Sequence, residues 1–107
     1  SVAAIGEYEL LEVENIFDVI LGKESAKKEK PHPDIFLNTA KALQHDPSQC
    51  IVIEDALKGL SASKAAGMSC IIIRNRLNQN IDFSEADLIF SSLSDFLTTI
   101  KLCSNLR

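Results

Sequence analysis

Blocks of apolar residues separated by polar segments predict the strands of a sheet. "FDVIL" at 17–21 is a short apolar run that Gly22 closes, while "CIVIE" at 50–54 and "CIII" at 70–73 are rich in β-branched residues. Strands that are buried on both faces have such nearly unbroken apolar sequences. The pattern therefore predicts buried strands, which are typical of a parallel sheet.

Two segments have the properties of helices that pack on a sheet. Pro33 can begin a helix because the N–H that proline lacks has no partner in the first turn, and we expect this helix over 33–43. Its buried side should contain Ile35, Phe36, Thr39, Ala40 and Leu43. The small residues of "LKGLSASKAA" allow close packing, and Gly67 should adopt the left-handed conformation that ends this helix.

The order strand, helix, capping glycine, strand between 50 and 73 predicts a βαβ unit with parallel strands and a right-handed crossover. Strong helix formers at 7–15 indicate a further short helix, and a short strand is expected at 87–90. A last helix is predicted from apolar residues at spacings typical of one helical face: Leu93, Phe96, Leu97 and Ile100. The expected fold is a single α/β domain, a Rossmann-like parallel sheet flanked by helices.

Charge and cysteine usage narrow the function classes. The chain has 15 acidic and 11 basic residues, a net charge of −4, which argues against nucleic acid or an anionic membrane as a partner. No segment approaches the roughly 18 apolar residues of a membrane-spanning helix. Three widely spaced cysteines without a Cys-x-x-Cys pattern indicate buried thiols in a reducing compartment. We expect a cytoplasmic globular protein with small solutes or proteins as partners.

Two adjacent acids, Glu54 and Asp55, end the apolar run at 50–54. In an open parallel sheet, ligands bind beyond the carboxyl ends of the strands. Neighbouring carboxylates repel each other, and Mg²⁺ with its preference for oxygen ligands stabilises both. Asp55 could instead only cap the following helix, where a negative charge is favourable. This stretch alone leaves both interpretations open.

A second candidate is Lys30, because Pro31 holds the backbone before it extended and a helix begins close by. Such a lysine is well placed for a phosphate, although the charged run at 27–29 is equally compatible with plain solvated surface. Arg74 and Arg76 follow a predicted strand and raise the same choice between an anionic ligand and ordinary surface charge.

Three segments together resemble a known family: "FDVILGKE", "KPHPDIFLNTAKAL" and "CIVIEDALKGLSASKAAGMSCIII". Their order and spacing are similar to the C-terminal half of the haloacid dehalogenase-like superfamily, in the branch of β-phosphoglucomutase and sugar-phosphate phosphatases. The resemblance implies a partial Rossmann-like core over 1–107, lacking the first two strands and the cap domain. It also implies Mg²⁺-dependent phosphoryl transfer, by a phosphatase or phosphomutase, on a small phosphorylated metabolite.

The resemblance also implies residue roles. Lys30 would be the catalytic lysine that binds the transferring phosphoryl group. Asp55 would be a direct Mg²⁺ ligand, and Glu54 a ligand or an acceptor just outside the ligand shell. Pro31 and Gly59 would be structural residues near the site, Gly59 because its lack of a side chain lets the helix start approach closely.

One feature of the family is missing from these 107 residues. Its aspartate nucleophile belongs to an Asp-x-Asp motif, and no two of the seven aspartates here are two residues apart: 18, 34, 46, 55, 82, 87 and 95. We therefore expect the isolated chain to be inactive. The alternative function is a non-catalytic phosphate- or metal-binding or oligomerisation module derived from the same fold. A receiver-like signalling domain fits less well, because receivers place the paired acids early and the lysine late.

By the strand order that the resemblance implies, the two missing strands would lie between "FDVIL" and "CIVIE", and this gap leads to a prediction about assembly. We expect the chain to self-associate or to bind a complementary N-terminal segment, because burying each exposed Val, Ile or Phe is worth ~1.5–3 kcal/mol before association costs. The competing outcome is a monomer in which strand 17–21 pairs with strand 50–54. Sedimentation equilibrium over a hundredfold range of concentration distinguishes them: a constant mass near 11.8 kDa would contradict association.

Overall fold

The computed structural model describes residues 3–5, 19–21 and 32–105. Five strands and three α-helices lie within these ranges: β1 Ala3–Ile5, β2 Val19–Leu21, α1 Asp34–Leu43, β3 Ile51–Glu54, α2 Leu57–Ala65, β4 Ser69–Ile73, β5 Leu88–Phe90 and α3 Leu93–Asn105. A 3₁₀ turn at Pro47–Gln49 connects α1 to β3. The predicted helix at 7–15 lies outside the described residues.

The central sheet contains β3, β4 and β5 in that order, with all neighbours parallel. Glu54 is in register with Ile72, and Ile73 with Phe90. The predicted βαβ unit is therefore confirmed as β3, α2 and β4. The predicted α/β fold, a Rossmann-like parallel sheet with flanking helices, is confirmed as well.

β1 is a strand that the hydrophobic pattern did not predict. It pairs in parallel with β2, from Ala3 opposite Val19 to Ile5 opposite Leu21. Cα atoms of β1 also come within 8 Å of β3. β1 thus occupies part of the expected gap between strands 17–21 and 50–54. The alternative in which these two strands pair directly is not the arrangement found.

Helix α1 begins and ends almost where the sequence predicts. Pro33 precedes the first helical residue, and its carbonyl accepts hydrogen bonds from the N–H groups of Phe36 and Leu37 at 3.0 and 2.9 Å. The predicted buried side is found for Ile35, Phe36, Thr39 and Ala40. Leu43 is the exception, since it is only half-buried in the last turn before Gln44 ends the helix in the left-handed region.

The sheet has an apolar core on each face, because successive residues of a strand point to opposite sides. Val52, Cys70 and Ile72 belong to the larger core, together with residues of α1 and α2. Ile53 and Ile73 belong to the smaller core, which α3 covers with Phe96 and half-buried Leu93, Leu97 and Ile100. Burial on both faces accounts for the unbroken apolar sequences of β3 and β4.

Helix α2 lies close to the sheet because its inward side is built from small residues. Ala62 and Ser63 are completely buried, and the Ser63 hydroxyl donates to the Leu60 carbonyl of the same helix at 2.8 Å. Gly67 has φ +77°, the predicted left-handed conformation that only glycine adopts without strain. The chain then enters β4 two residues later.

A polar clamp joins α2, β4 and β5 at the edge where the two strands begin. One oxygen of Asp87 accepts hydrogen bonds from the Lys64 ammonium and from the Cys70 N–H, both at 2.6 Å. These bonds hold the pKa of the Asp87 carboxyl below its usual value, and the bond from Lys64 has the largest effect.

Within the part of the chain that is described, no helix has the length and apolarity needed to cross a membrane.

The clamp predicts a pH dependence of stability. Since the folded pKa of Asp87 is lowered, its contribution is present above about pH 4 and is lost as the pH falls through the folded value. We expect Asp87→Asn to lower the urea midpoint at pH 6, and the difference from the wild type to shrink towards pH 2.5. Glu85→Gln, an exposed carboxyl outside the clamp, is the control. A difference that stays constant with pH would contradict the prediction.

Candidate functional site

The candidate acids lie at the carboxyl edge of the central sheet. Glu54 is the last residue of β3 and Asp55 follows it, while Arg74 follows the end of the neighbouring β4. Because the strands are parallel, these ends share one edge. Helix α2 begins at the same edge, at Leu57. The segment around Lys30 and Pro31 lies outside the described residues, so the predicted position of that lysine stays a prediction.

The Glu54 side chain is buried against the first turn of α2. It is 3% exposed, and its Oε1 accepts a hydrogen bond from the Asp55 N–H at 3.3 Å. A Cβ atom at Gly59 would lie 2.0 Å from Glu54 Cδ and 2.3 Å from Oε1. Glycine at this position therefore provides the space that the carboxylate occupies. The close approach of the helix start that the sequence predicts for Gly59 is a contact with Glu54.

Asp55 does not act as the helix cap that the sequence left open. The N-cap of α2 is Ala56, and no side-chain hydrogen bond caps this helix. Instead, Asp55 Oδ2 accepts a hydrogen bond from the Asn75 side-chain amide at 3.3 Å, and its backbone carbonyl accepts one from the Asn78 amide at 2.8 Å. The half-buried carboxylate is thus held from the loop that follows β4.

Arg74 organises this loop, residues 74–81. Its Nη1 donates to the backbone carbonyls of Asn78 and Ile81 at 2.9 and 3.1 Å, and to that of Gln79 at 3.3 Å. The guanidinium carbon lies 5.2 Å from the ring centre of buried Phe83, a cation–π distance. The side chain that could have contacted an anionic ligand is therefore engaged with its own loop. Arg76 is exposed at the same edge.

Asn75 and Asn78 are the site residues that sequence reasoning missed. Asn78 is 3% exposed, and its amide nitrogen bridges the ends of both strands through the carbonyls of Asp55 and Ile73. Its oxygen accepts the Asn75 N–H at 2.8 Å. The signal was available in "RNRLNQN", since asparagine side chains commonly hydrogen-bond nearby backbone groups in turns.

The donor atoms at this edge suit a magnesium ion. Glu54 and Asp55 supply carboxylate oxygens, and Mg²⁺ typically binds one or two carboxylates while keeping several waters. Within the described ranges, no group of three or more His, Cys, Asp or Glu residues is placed to hold a metal. Glu54 is 3% exposed, so half-buried Asp55 is the carboxylate of the pair that an ion can reach from solvent. Structural zinc sites, by contrast, have four protein ligands.

The thiols that the structure describes are buried, as the sequence predicts. Cys50 and Cys70 are both buried and lie outside any disulfide. Burial, as the largest cause, raises the pKa of the Cys70 thiol to about 11, so it is protonated at neutral pH and is a poor nucleophile. The side chain of Cys103 lies outside the description.

The contact between Glu54 and Gly59 generates a stability prediction. Helix propensity alone favours alanine over glycine by about 1 kcal/mol. The overlap with Glu54 opposes it, since overpacking typically costs about 1–3 kcal/mol, and we expect Gly59→Ala to lower the free energy of unfolding. Urea denaturation measures this. Ser61→Ala, an exposed position of the same helix, should change it by less than about 0.5 kcal/mol.

A double variant tests whether the Glu54 side chain causes the loss of stability expected for Gly59→Ala. Shortening Glu54 to alanine removes the atoms that the new Cβ would meet, so Gly59→Ala should be less destabilising on a Glu54→Ala background. Equal effects on the two backgrounds, or a stabilised Gly59→Ala variant, would mean that the glycine is not required by this carboxylate.

Comparison with known proteins identifies the family of this chain. The haloacid dehalogenase-like hydrolase family matches residues 3–73. A bifunctional riboflavin kinase/FMN phosphatase of Arabidopsis thaliana is 44% identical over 79 residues, which cover 74% of this chain and 21% of that protein.

Two solved structures are similar in fold. CbbY from Rhodobacter sphaeroides in complex with phosphate has a TM-score of 0.67 and 33% identity, over 77% of this chain and 36% of that one. A β-phosphoglucomutase-like protein from Bacteroides vulgatus has a TM-score of 0.70 and 27% identity, over 94% and 44%. This chain thus spans less than half of each of these proteins. With a family match over residues 3–73 and the same parallel α/β fold, the chain belongs to the haloacid dehalogenase-like hydrolases.

Proposed function

We propose that this chain carries the magnesium-binding and phosphate-binding part of a phosphoryl-transfer site for small phosphorylated metabolites. The observation that carries the proposal is the pair of carboxylates at the end of β3. Glu54 is packed against Gly59, and Asp55 is held by the loop after β4. Both are at the edge where ligands bind in open parallel sheets.

The chain's own residues would divide the work of holding and orienting. Asp55 would be the direct Mg²⁺ ligand, because its carboxylate is half-buried and so remains accessible from solvent. Glu54, buried behind it, would hold the Asp55 backbone through its hydrogen bond and add negative charge that favours the ion. When bound, Mg²⁺ supplies neutralisation of phosphoryl oxygens as charge shifts during transfer.

Lys30 would be the second binding group, by resemblance and outside the described residues. A lysine ammonium next to a helix start is suited to a phosphate. Pro31 would keep the lysine backbone extended, and it precedes α1 by only two residues. Together, a cation-holding acid pair and a lysine form a half-site that binds and orients a phosphoryl group.

The substrate class follows from the relatives rather than from the site. Similar proteins include a bifunctional riboflavin kinase/FMN phosphatase and a CbbY protein crystallised with phosphate. We infer a small phosphorylated metabolite as the substrate of the whole site. An Asp-x-Asp pair does not occur in these 107 residues, so the nucleophile and acid/base of the family chemistry are not supplied by them.

Magnesium binding tests the proposal directly. We expect Mg²⁺ to shift the backbone amide resonances of residues 54–57 and 74–78 in an NMR titration. Asp55→Asn should abolish the saturable shifts while leaving the fold intact, since an asparagine oxygen can still accept from Asn75. Asp82→Asn changes an exposed acid that accepts hydrogen bonds from Ser84; it is the matched control and should bind Mg²⁺ as the wild type does.

Phosphatase assays complete the test. We expect negligible hydrolysis of p-nitrophenyl phosphate by the 107-residue chain, with or without Mg²⁺, because no aspartyl-phosphate can form on an absent nucleophile. Robust metal-dependent turnover that Asp55→Asn removes would show that another residue is the nucleophile. Wild-type protein without saturable Mg²⁺ shifts would overturn the magnesium site and leave a non-metal binding module.

A further inference from the structure

We propose that Asn75 is a positioning residue for Asp55. Its amide engages one oxygen of the Asp55 carboxylate and leaves the other oxygen to face the cation. The inference rests on the proposed magnesium site and adds a residue that the acid pair and the lysine do not include. Its basis is the hydrogen-bond geometry of the loop after β4.

The orientation of the Asn75 amide is determined by its own neighbours. Its Oδ1 accepts hydrogen bonds from the backbone N–H groups of Leu77 at 2.8 Å and Asn78 at 3.1 Å. Both partners are donors, so the oxygen must be on that side and the NH₂ group on the other. The amide nitrogen is therefore directed to Asp55 Oδ2, at 3.3 Å.

The loop that carries Asn75 is itself held in place. Asn78 accepts the Asn75 N–H and donates to carbonyls at the ends of β3 and β4, so it ties the loop to both strands. Arg74 adds three hydrogen bonds to loop carbonyls. Asn75 is thus a donor on a rigid support, which is what orienting a carboxylate requires.

The consequence concerns the two oxygens of Asp55. Oδ2 is engaged by Asn75, whereas no hydrogen bond from the described part of the chain reaches Oδ1. Free rotation of the carboxylate would alternate the two oxygens and weaken directional binding. A fixed rotation presents one oxygen to the edge where β3 ends, and groups that orient a metal ligand commonly change metal affinity by about 10- to 100-fold.

The closing experiment compares Asn75→Ser with the wild type. A serine hydroxyl can still accept from a backbone N–H two residues on, so the turn is preserved, but it is too short to donate to Asp55. We expect the Mg²⁺ dissociation constant from the NMR titration to rise about tenfold, with the urea midpoint in the absence of Mg²⁺ unchanged. Asn80→Ala, an exposed asparagine of the same loop, should leave both unchanged.

A second measurement does not depend on the stability of the Asn75→Ser variant. If Asn75 donates to Asp55, its side-chain amide resonances should shift in Asp55→Asn, where an amide replaces the carboxylate acceptor, and stay unchanged in the control Asp82→Asn. The positioning role is overturned if Asn75→Ser binds Mg²⁺ as the wild type does, or if the amide does not respond to Asp55. Loss of Mg²⁺ binding in Asp55→Asn but not in Asn75→Ser would overturn this inference and leave the proposed function standing.

Discussion

Parallel pairing of β3 with β4 brings the carboxyl ends of both strands to one edge, and the other features of the site depend on that pairing. The register that places Glu54 opposite Ile72 also places the residues after Ile73 beside Asp55. The pairing is stable because both strands are buried on both faces, under α1 and α2 on one side and under α3 on the other. A one-residue slip would exchange the two cores and separate Asp55 from the loop that holds it.

Charge at this edge is accommodated by space and hydrogen bonds. A buried carboxylate such as Glu54 is costly unless it is paired or hydrogen-bonded, and the absent side chain of Gly59 gives it room next to the start of α2. Asp55 is held differently, by asparagine amides from a loop whose backbone carbonyls bind Arg74. The same edge therefore contains a buried acid, Glu54, which is suited to a supporting role, and an accessible acid, Asp55, which is held in position and suited to binding a cation.

The family relationship indicates which kind of chemistry this edge of the sheet serves in related proteins. The chain belongs to the haloacid dehalogenase-like hydrolases, and its relatives include phosphatases of small phosphorylated molecules. It spans less than half of the similar solved chains. What the described residues themselves contain is the end of β3 with its two acids and the loop that orients one of them.

The sequence by itself determined the central βαβ unit, because residues buried on both faces must be apolar and a helix lying close to a sheet must have small residues. It also drew attention to Glu54 and Asp55, since charges directly after a buried strand need a reason, while the family resemblance pointed to Gly59. It did not predict β1, because Ala3–Ile5 is too short for a recognisable pattern and is defined by its pairing with β2. Nor did it assign Asn75, Asn78 and Arg74, because asparagine and arginine after a strand can be surface residues equally well. Only the tertiary structure decided their roles: those of Asn75 and Asn78 depend on where β3 ends relative to a loop about twenty residues later in the chain, and that of Arg74 depends on how the same loop folds around its side chain.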